Sequence, residues 1–307
     1  MGEGFSRAGF DAIYAADLDK NAISTYNNNL KKKVAEVRDV GAVAKGLKCD
    51  LILAGPPCQG FSSLGKRDKK DARNKLSLLL LDWVKSTGAK VVVVENVPQF
   101  LSSKYHKILV EKFSALHFES TSWVLDASDY GTPQKRKRGF TIFSRIGLPV
   151  EPKRSKQQFT VKDAFRGLSS KANSDGMHSA PQPSELALSR IKLIPQNGGK
   201  LDLMQIAPEL CPKSWFSLGQ QAVDVWGRMN FKEPANTIRC CFWNPSKGRY
   251  IHPTEDRVIT LREGARLQGV PDNWRFEGSR LAVARQIGNG VPVPLAEAVG
   301  RAVKKLF

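Results

Sequence analysis

The chain has 307 residues, 41% of them hydrophobic, enough to bury a core and too many for a disordered polyelectrolyte. Forty-eight Lys and Arg against 29 Asp and Glu give a net charge of +19 and a pI near 9.8, more than solubility asks for, which points to a polyanionic partner. Cys49, Cys58, Cys211, Cys240 and Cys241 are odd in number and lack metal spacing, and the chain has neither an apolar run near 18 residues nor a signal peptide. A disulfide framework, a cysteine metal cluster and a membrane span are therefore not indicated, and a reducing, intracellular, cytoplasmic setting is expected.

Residues 1–10 read as the end of a helix closed by Gly9. Residues 11–16 predict a strand that runs into Asp17-Leu18-Asp19, and residues 20–33 a helix with Ala22, Ile23, Tyr26 and Leu30 on one face. Val37-Arg38-Asp39-Val40 is a short strand or a loop. Leu51-Ile52-Leu53-Ala54 is apolar throughout, as a strand buried on both faces should be, and Pro56-Pro57 must end it because two ladder donors are lost. Cys58 thus stands at a strand end, where a thiol is either a candidate nucleophile or a small buried apolar group in a turn. Residues 64–75 are a polar, basic loop, followed by a helix over residues 76–86.

Lys90-Val91-Val92-Val93-Val94 predicts another buried strand, ending in Glu95-Asn96-Val97-Pro98, with a helix over residues 106–116 after it. Strands at 123–127 and 139–143 bracket the basic turn from Tyr130 to Arg138. Strands alternating with helices imply an α/β fold, a mostly parallel sheet with a hairpin at its edge. In such sheets ligands bind at the carboxyl edge, where Asp17, Cys58 and Glu95 all fall. An acid at a strand end can equally be a helix cap, an even choice for Asp17 alone. Past about residue 148 prolines and serines multiply, and residues 135–162 carry nine basic residues against Glu151. A boundary is placed there: a first domain over residues 1–150, a smaller irregular module over 151–260, and a C-terminal segment over 261–307 that returns to the first domain with helices at 261–268 and 294–306.

Gly55-Pro56-Pro57-Cys58-Gln59-Gly60-Phe61-Ser62 resembles the signature of the bacterial-type DNA cytosine-5 methyltransferases. Further matches follow in that family's order: Glu95-Asn96-Val97, Gln134-Lys135-Arg136-Lys137-Arg138, Arg262-Glu263-Gly264-Ala265-Arg266-Leu267-Gln268-Gly269 and Gln286-Ile287-Gly288-Asn289-Gly290-Val291-Pro292. The resemblance implies a Rossmann-like S-adenosylmethionine-dependent methyltransferase sheet in residues 1–150 and a target-recognition domain in 151–260. It also implies duplex DNA as partner, no metal, a monomer, and a cognate restriction endonuclease in the same system. Cys58 would add to cytosine carbon 6, Glu95 would bind ring nitrogen 3, and Arg138 would hold O2 with Arg136 in support. S-adenosylmethionine would be met by Asp17, Leu18, Asp39, Val40, Pro57, Leu76, Asn289 and Gly290. Gln59, Ser62, Arg73 and Thr237 would touch DNA, with residues 62–75 as a closing loop around a flipped base. Asp17 stands where the family more often has Glu. The family's apolar strand and Phe-x-Gly-x-Gly loop, expected just before Gly4-Phe5, have no counterpart in this sequence. A non-catalytic DNA-binding relative, a truncated inactive copy and a tRNA-directed methyltransferase are the competing expectations.

Overall fold

The computed structural model describes residues 1–30, 32–41, 43–44, 46–57, 78–168 and 176–307. The elements in chain order are α1 (Gly2–Arg7), β1 (Ala15–Asp17), α2 (Lys20–Asn29), β2 (Ala35–Val37), β3 (Leu51–Ala54), α3 (Leu80–Thr87), β4 (Val91–Asn96), α4 (Lys104–Ser114), β5 (Glu119–Asp126), β6 (Lys137–Ser144), α5 (Val161–Phe165), α6 (Glu185–Leu193), α7 (Lys200–Ile206), α8 (Lys213–Leu218), α9 (Leu261–Leu267), α10 (Arg280–Asn289) and α11 (Val293–Lys304). They fall into two compact units. The first is Met1–Tyr130, Arg136–Lys156 and Val293–Phe307, and the second is Gly131–Lys135 and Gln157–Pro292. The division differs from the boundaries read in the sequence. It comes at 156/157, and α9 and α10 belong to the second unit, so only Val293–Phe307 returns to the first.

In the first unit, β3, β4, β6 and β5 form one sheet in that order, with β3 parallel to β4 and the β5–β6 hairpin antiparallel at the far edge. The α/β fold with a hairpin at the sheet's edge, expected from the sequence, is present; among the described residues the sheet is mixed rather than mostly parallel, and β1 and β2 make a separate parallel pair. Burial follows the pairing. Val91, Val92, Val93 and Val94, with a neighbour on each side, are at most 1% exposed, whereas Leu51–Ala54 of the terminal strand β3 are only half-buried. One core packs Val92 and Val94 against Leu80 and Val84 of α3 and Leu109 and Phe113 of α4, with the Phe113 and Phe143 rings stacked 4.1 Å apart. α1 packs on α11, and Gly4 makes this possible, because a Cβ there would come within 2.5 Å of Ala296 Cβ.

The module read as irregular carries four short helices, α5–α8, linked by long non-repetitive stretches, and the second unit has its own cores. These helices run five to nine residues over α5–α8, and side chains cap the starts of α5, α6 and α7. Thr160 with Asp163 at α5, and Thr260 with Glu263 at α9, form reciprocal capping boxes. Arg228, 4% exposed, ties the unit together by donating to the carbonyls of Ile191, Ile194, His252 and Glu255 and pairing with Asp256. His252 accepts at Nδ1 from the amides of Thr254 and Glu255, and burial pushes its pKa down to about 4, so it is a neutral packing group stacked on Phe165. Among the described residues no helix is long and apolar enough to cross a membrane.

Candidate active site

β4 delivers Glu95 next to last, so its side chain emerges where the buried valine run meets the sheet's carboxyl edge. The antiparallel partner β6 pairs Phe140 with Glu95 and Gly139 with Asn96, which brings Arg138 one residue beyond the end of β4. Arg138 Nε lies 3.0 Å from Glu95 Oε1, with the two side chains 16% and 13% exposed. Arg138 also donates from Nη1 to Lys137 O at 2.7 Å. Burial pushes the Glu95 carboxyl above the ordinary carboxylate range, while Arg138, Arg136 and the Met1 amine oppose that rise. Desolvation outweighs the nearby cations, so the neutral form of this carboxyl is favoured relative to one in water. The Lys135–Arg138 run is therefore not simply a solvated basic turn, since Arg136 is 3% exposed and Arg138 is paired inward.

The exit of β3 is attached to the same place. Asn96, 4% exposed, donates from Nδ2 to Pro56 O at 3.1 Å and accepts from Val97 N at 2.9 Å. A Cβ placed on Gly55 would sit 3.7 Å from Glu95 Oε2. The chain thus enters Pro56-Pro57 directly beside the Glu95 carboxylate, with Pro57 exposed. Cys58, Gln59, Ser62, Arg73, Leu76 and the basic loop of residues 62–75 lie outside the described residues.

On the β1–β2 pair, Asp17 closes β1, and its carbonyl accepts from Arg38 N, aligning the two strand ends. The cap of α2 is Asp19, which accepts from the amides of Asn21 and Ala22, so capping does not account for Asp17. Asp17 Oδ1 accepts from Asp19 N, and Asp39 Oδ1 accepts from Gly41 N, each at 2.8 Å. Each of these acids is followed in the chain by an exposed apolar side chain, Leu18 at 70% and Val40 at 36%. Carboxylates for a ribose diol next to apolar surface for a purine face match the chemistry of an adenosine group. Val40 is itself anchored, its carbonyl accepting from Trp83 Nε1 at 2.8 Å.

In the second unit, Asn289 is the last residue of α10 and Gly290 follows it. Asn289 Oδ1 accepts from Cys240 Sγ at 2.8 Å, and α10 approaches the 239–240 backbone so closely that a Cβ on Gly288 would lie 2.2 Å from Cys240 N. Thr237 is half-buried and donates from Oγ1 to Lys135 O at 2.9 Å, so its hydroxyl is engaged by backbone in this structure. Gln134, fully buried and not singled out in the sequence, accepts from Ile238 N and donates to Leu267 O and Gln268 Oε1. Its place in the Gln134–Arg138 run was the signal available.

The family model for C-5 cytosine-specific DNA methylases matches residues 1–305. Type II methyltransferase M1.HphI of Haemophilus parahaemolyticus is 30% identical over 99% of this chain and 83% of its own length. Type II methyltransferase M.XorII of Xanthomonas oryzae pv. oryzae is 32% identical over 98% of this chain and 81% of its own length. Among solved structures, a candidate DNA modification methyltransferase encoded within an E. coli prophage superposes with a TM-score of 0.70 at 26% identity, covering 99% of this chain and 95% of its own. The Entamoeba histolytica methyltransferase EhMeth, at 16% identity and a TM-score of 0.69, shares the fold. A match over nearly the full length, with relatives at this identity on both chains, places the protein in the C-5 cytosine-specific DNA methylase family.

Proposed function

We propose that this methyltransferase acts on a flipped-out cytosine within a specific duplex DNA sequence, through a covalent adduct of Cys58. The buried Glu95–Arg138 pair carries the reading, an acid and a cation held 3.0 Å apart beside the exit of β3. Carbon 5 of cytosine is a poor nucleophile until a thiolate adds to carbon 6, and the unperturbed thiol pKa of about 8.5 requires help from its surroundings. In this reading Cys58 forms the carbon–sulfur bond, Glu95 donates to or protonates ring nitrogen 3, and Arg138 with Arg136 holds O2 as charge moves onto the ring. Once carbon 5 carries the methyl group, its proton leaves to a base and the carbon–sulfur bond breaks, which frees the Cys58 thiolate. S-adenosylmethionine supplies the methyl group. Asp17 and Asp39 would take hydroxyl and amine donors of its adenosine, Leu18 and Val40 would pack on the purine with Leu76, and Pro57, Asn289 and Gly290 would border the rest. The second unit would contact bases, with Thr237 beside the Gly131–Lys135 segment and Gln59, Ser62 and Arg73 also meeting DNA. The relatives' Type II names support a restriction-modification setting with a cognate endonuclease.

The test is methyl transfer from labelled S-adenosylmethionine to duplex DNA, with carbon 5 of cytosine identified as the acceptor. DNA carrying 5-fluorocytosine should trap the parent protein covalently. Cys58→Ser should abolish both the transfer and the adduct while DNA binding persists. An adduct formed by Cys58→Ser would remove Cys58 from the role.

A further inference from the structure

The chain leaves the first unit after Tyr130 and re-enters it at Arg136. One side chain holds the backbone at that return. Asp126, the last residue of β5, accepts through Oδ1 from Arg136 N at 2.9 Å, from Ser128 N at 3.2 Å and from Ser128 Oγ at 3.0 Å. Ala127 N in turn donates to Arg136 O at 3.0 Å. Both backbone polar groups of Arg136 are therefore fixed from one short stretch, and the ladder continues with Asp126 opposite Lys137 and Leu125 opposite Arg138. From this pinned segment come both arginines of the base pocket, Arg136 buried and Arg138 against Glu95.

We propose that Asp126 is a positioning residue for methyl transfer: its carboxylate sets the backbone at Arg136, and through it the placement of Arg136 and Arg138 beside Glu95. The inference rests on the base-pocket reading of those arginines. The strand ladder ends at the Asp126–Lys137 pair, and just beyond it the Arg136 amide donates to the Asp126 carboxylate. An ionised acceptor makes these bonds shorter and stronger than a neutral one would, and a single oxygen serving three donors gives each a fixed direction. A displacement of about 1 Å at a reacting group can lower turnover by roughly 100-fold, so a second-hand effect of this kind is large enough to measure.

Three substitutions separate the possibilities. Asp126→Val removes the acceptor at similar bulk, Asp126→Glu keeps the charge but moves it outward by a methylene, and Asp126→Asn keeps an oxygen in place. Asp126→Val and Asp126→Glu should lower kcat by about 10–100-fold with the KM for DNA and for S-adenosylmethionine unchanged. Asp126→Asn should recover most of what Asp126→Val loses. Parent turnover in Asp126→Glu, or an Asp126→Asn as impaired as Asp126→Val, overturns the proposal. If Asp126→Val fails to fold, the contrast between Glu and Asn decides alone. Arg138→Ala, run alongside, distinguishes the two levels. Full activity there defeats the pocket reading itself, whereas an inactive Arg138→Ala beside unaffected Asp126 variants defeats only the role of Asp126.

Discussion

Exchanging Glu95 for Gln keeps the side chain's shape and leaves an oxygen to accept from Arg138 Nε, now 3.0 Å from the carboxylate. What is removed is the proton that the carboxyl can hold. A positioned acid–base group contributes roughly 10²–10⁴ in rate, which corresponds to about 2.7–5.4 kcal/mol of barrier. Single-turnover methyl transfer, with DNA and S-adenosylmethionine both saturating, should fall by that factor while the fold survives. The raised pKa of Glu95, caused first by burial, adds an independent readout. Between the unfolded and the folded pKa, the folded chain holds a proton that the unfolded chain has lost. The stability from this group is therefore full below the ordinary carboxylate range and is lost as pH rises through the folded value. Gln has no proton to lose, so melting of Glu95→Gln should vary less with pH across that interval. Unchanged turnover, or melting curves of identical pH slope, would refute the reasoning.

Leu18→Glu places a charge on a side chain that is 70% exposed, so the fold should be untouched. If that side chain is covered by the purine, about 1.5–3 kcal/mol of apolar burial is lost, and calorimetric titration should show S-adenosylmethionine bound at least tenfold more weakly. An unaltered Kd would take Leu18 out of the site. Arg228→Met leaves the carbonyls of Ile191, Ile194 and His252 without their buried donor. Urea unfolding should register a loss of about 3–5 kcal/mol, and a loss below about 1 kcal/mol would show that the second unit repacks without it.

The valine run of β4 and the Glu95 that follows it were legible because four consecutive β-branched apolar residues followed by an acid have few other uses. The bounds of α2 were not, since the periodic pattern runs to residue 33 but the helix stops at Asn29, where Asn27 turns to clamp both backbone groups of Ala35. α10 was missed because Arg280–Asn289 has no clear apolar face and ends in a Gly-Asn-Gly stretch that reads as loop. The helices of residues 157–218 escaped for a related reason: each is so short that its caps, not its periodicity, define it. Thr160 with Asp163 and Thr260 with Glu263 were visible signals of that kind. That the cap of α2 is Asp19 and not Asp17 could be seen only in three dimensions. Asp126 was silent altogether, because its role depends on a residue ten positions away that the hairpin brings back.

The seam at Lys135–Arg136 has a consequence for anyone grafting the second unit of one relative onto another. The run from Gln134 to Arg138 is a single motif in sequence, yet Gln134 and Lys135 belong to the second unit and Arg136–Arg138 to the first. Within the second unit, Lys135 N donates to Ala235 O, Ala235 N to Pro133 O, and Gln134 takes the Ile238 amide. A cassette cut at 157 and 292 would therefore leave behind five residues that its interior is built around. Donor and acceptor would then have to agree on Gly131–Lys135, or the transplanted unit would carry a slot with the wrong filling. An exchange of the second unit between relatives must be made as two pieces at once, one of more than a hundred residues and one of five.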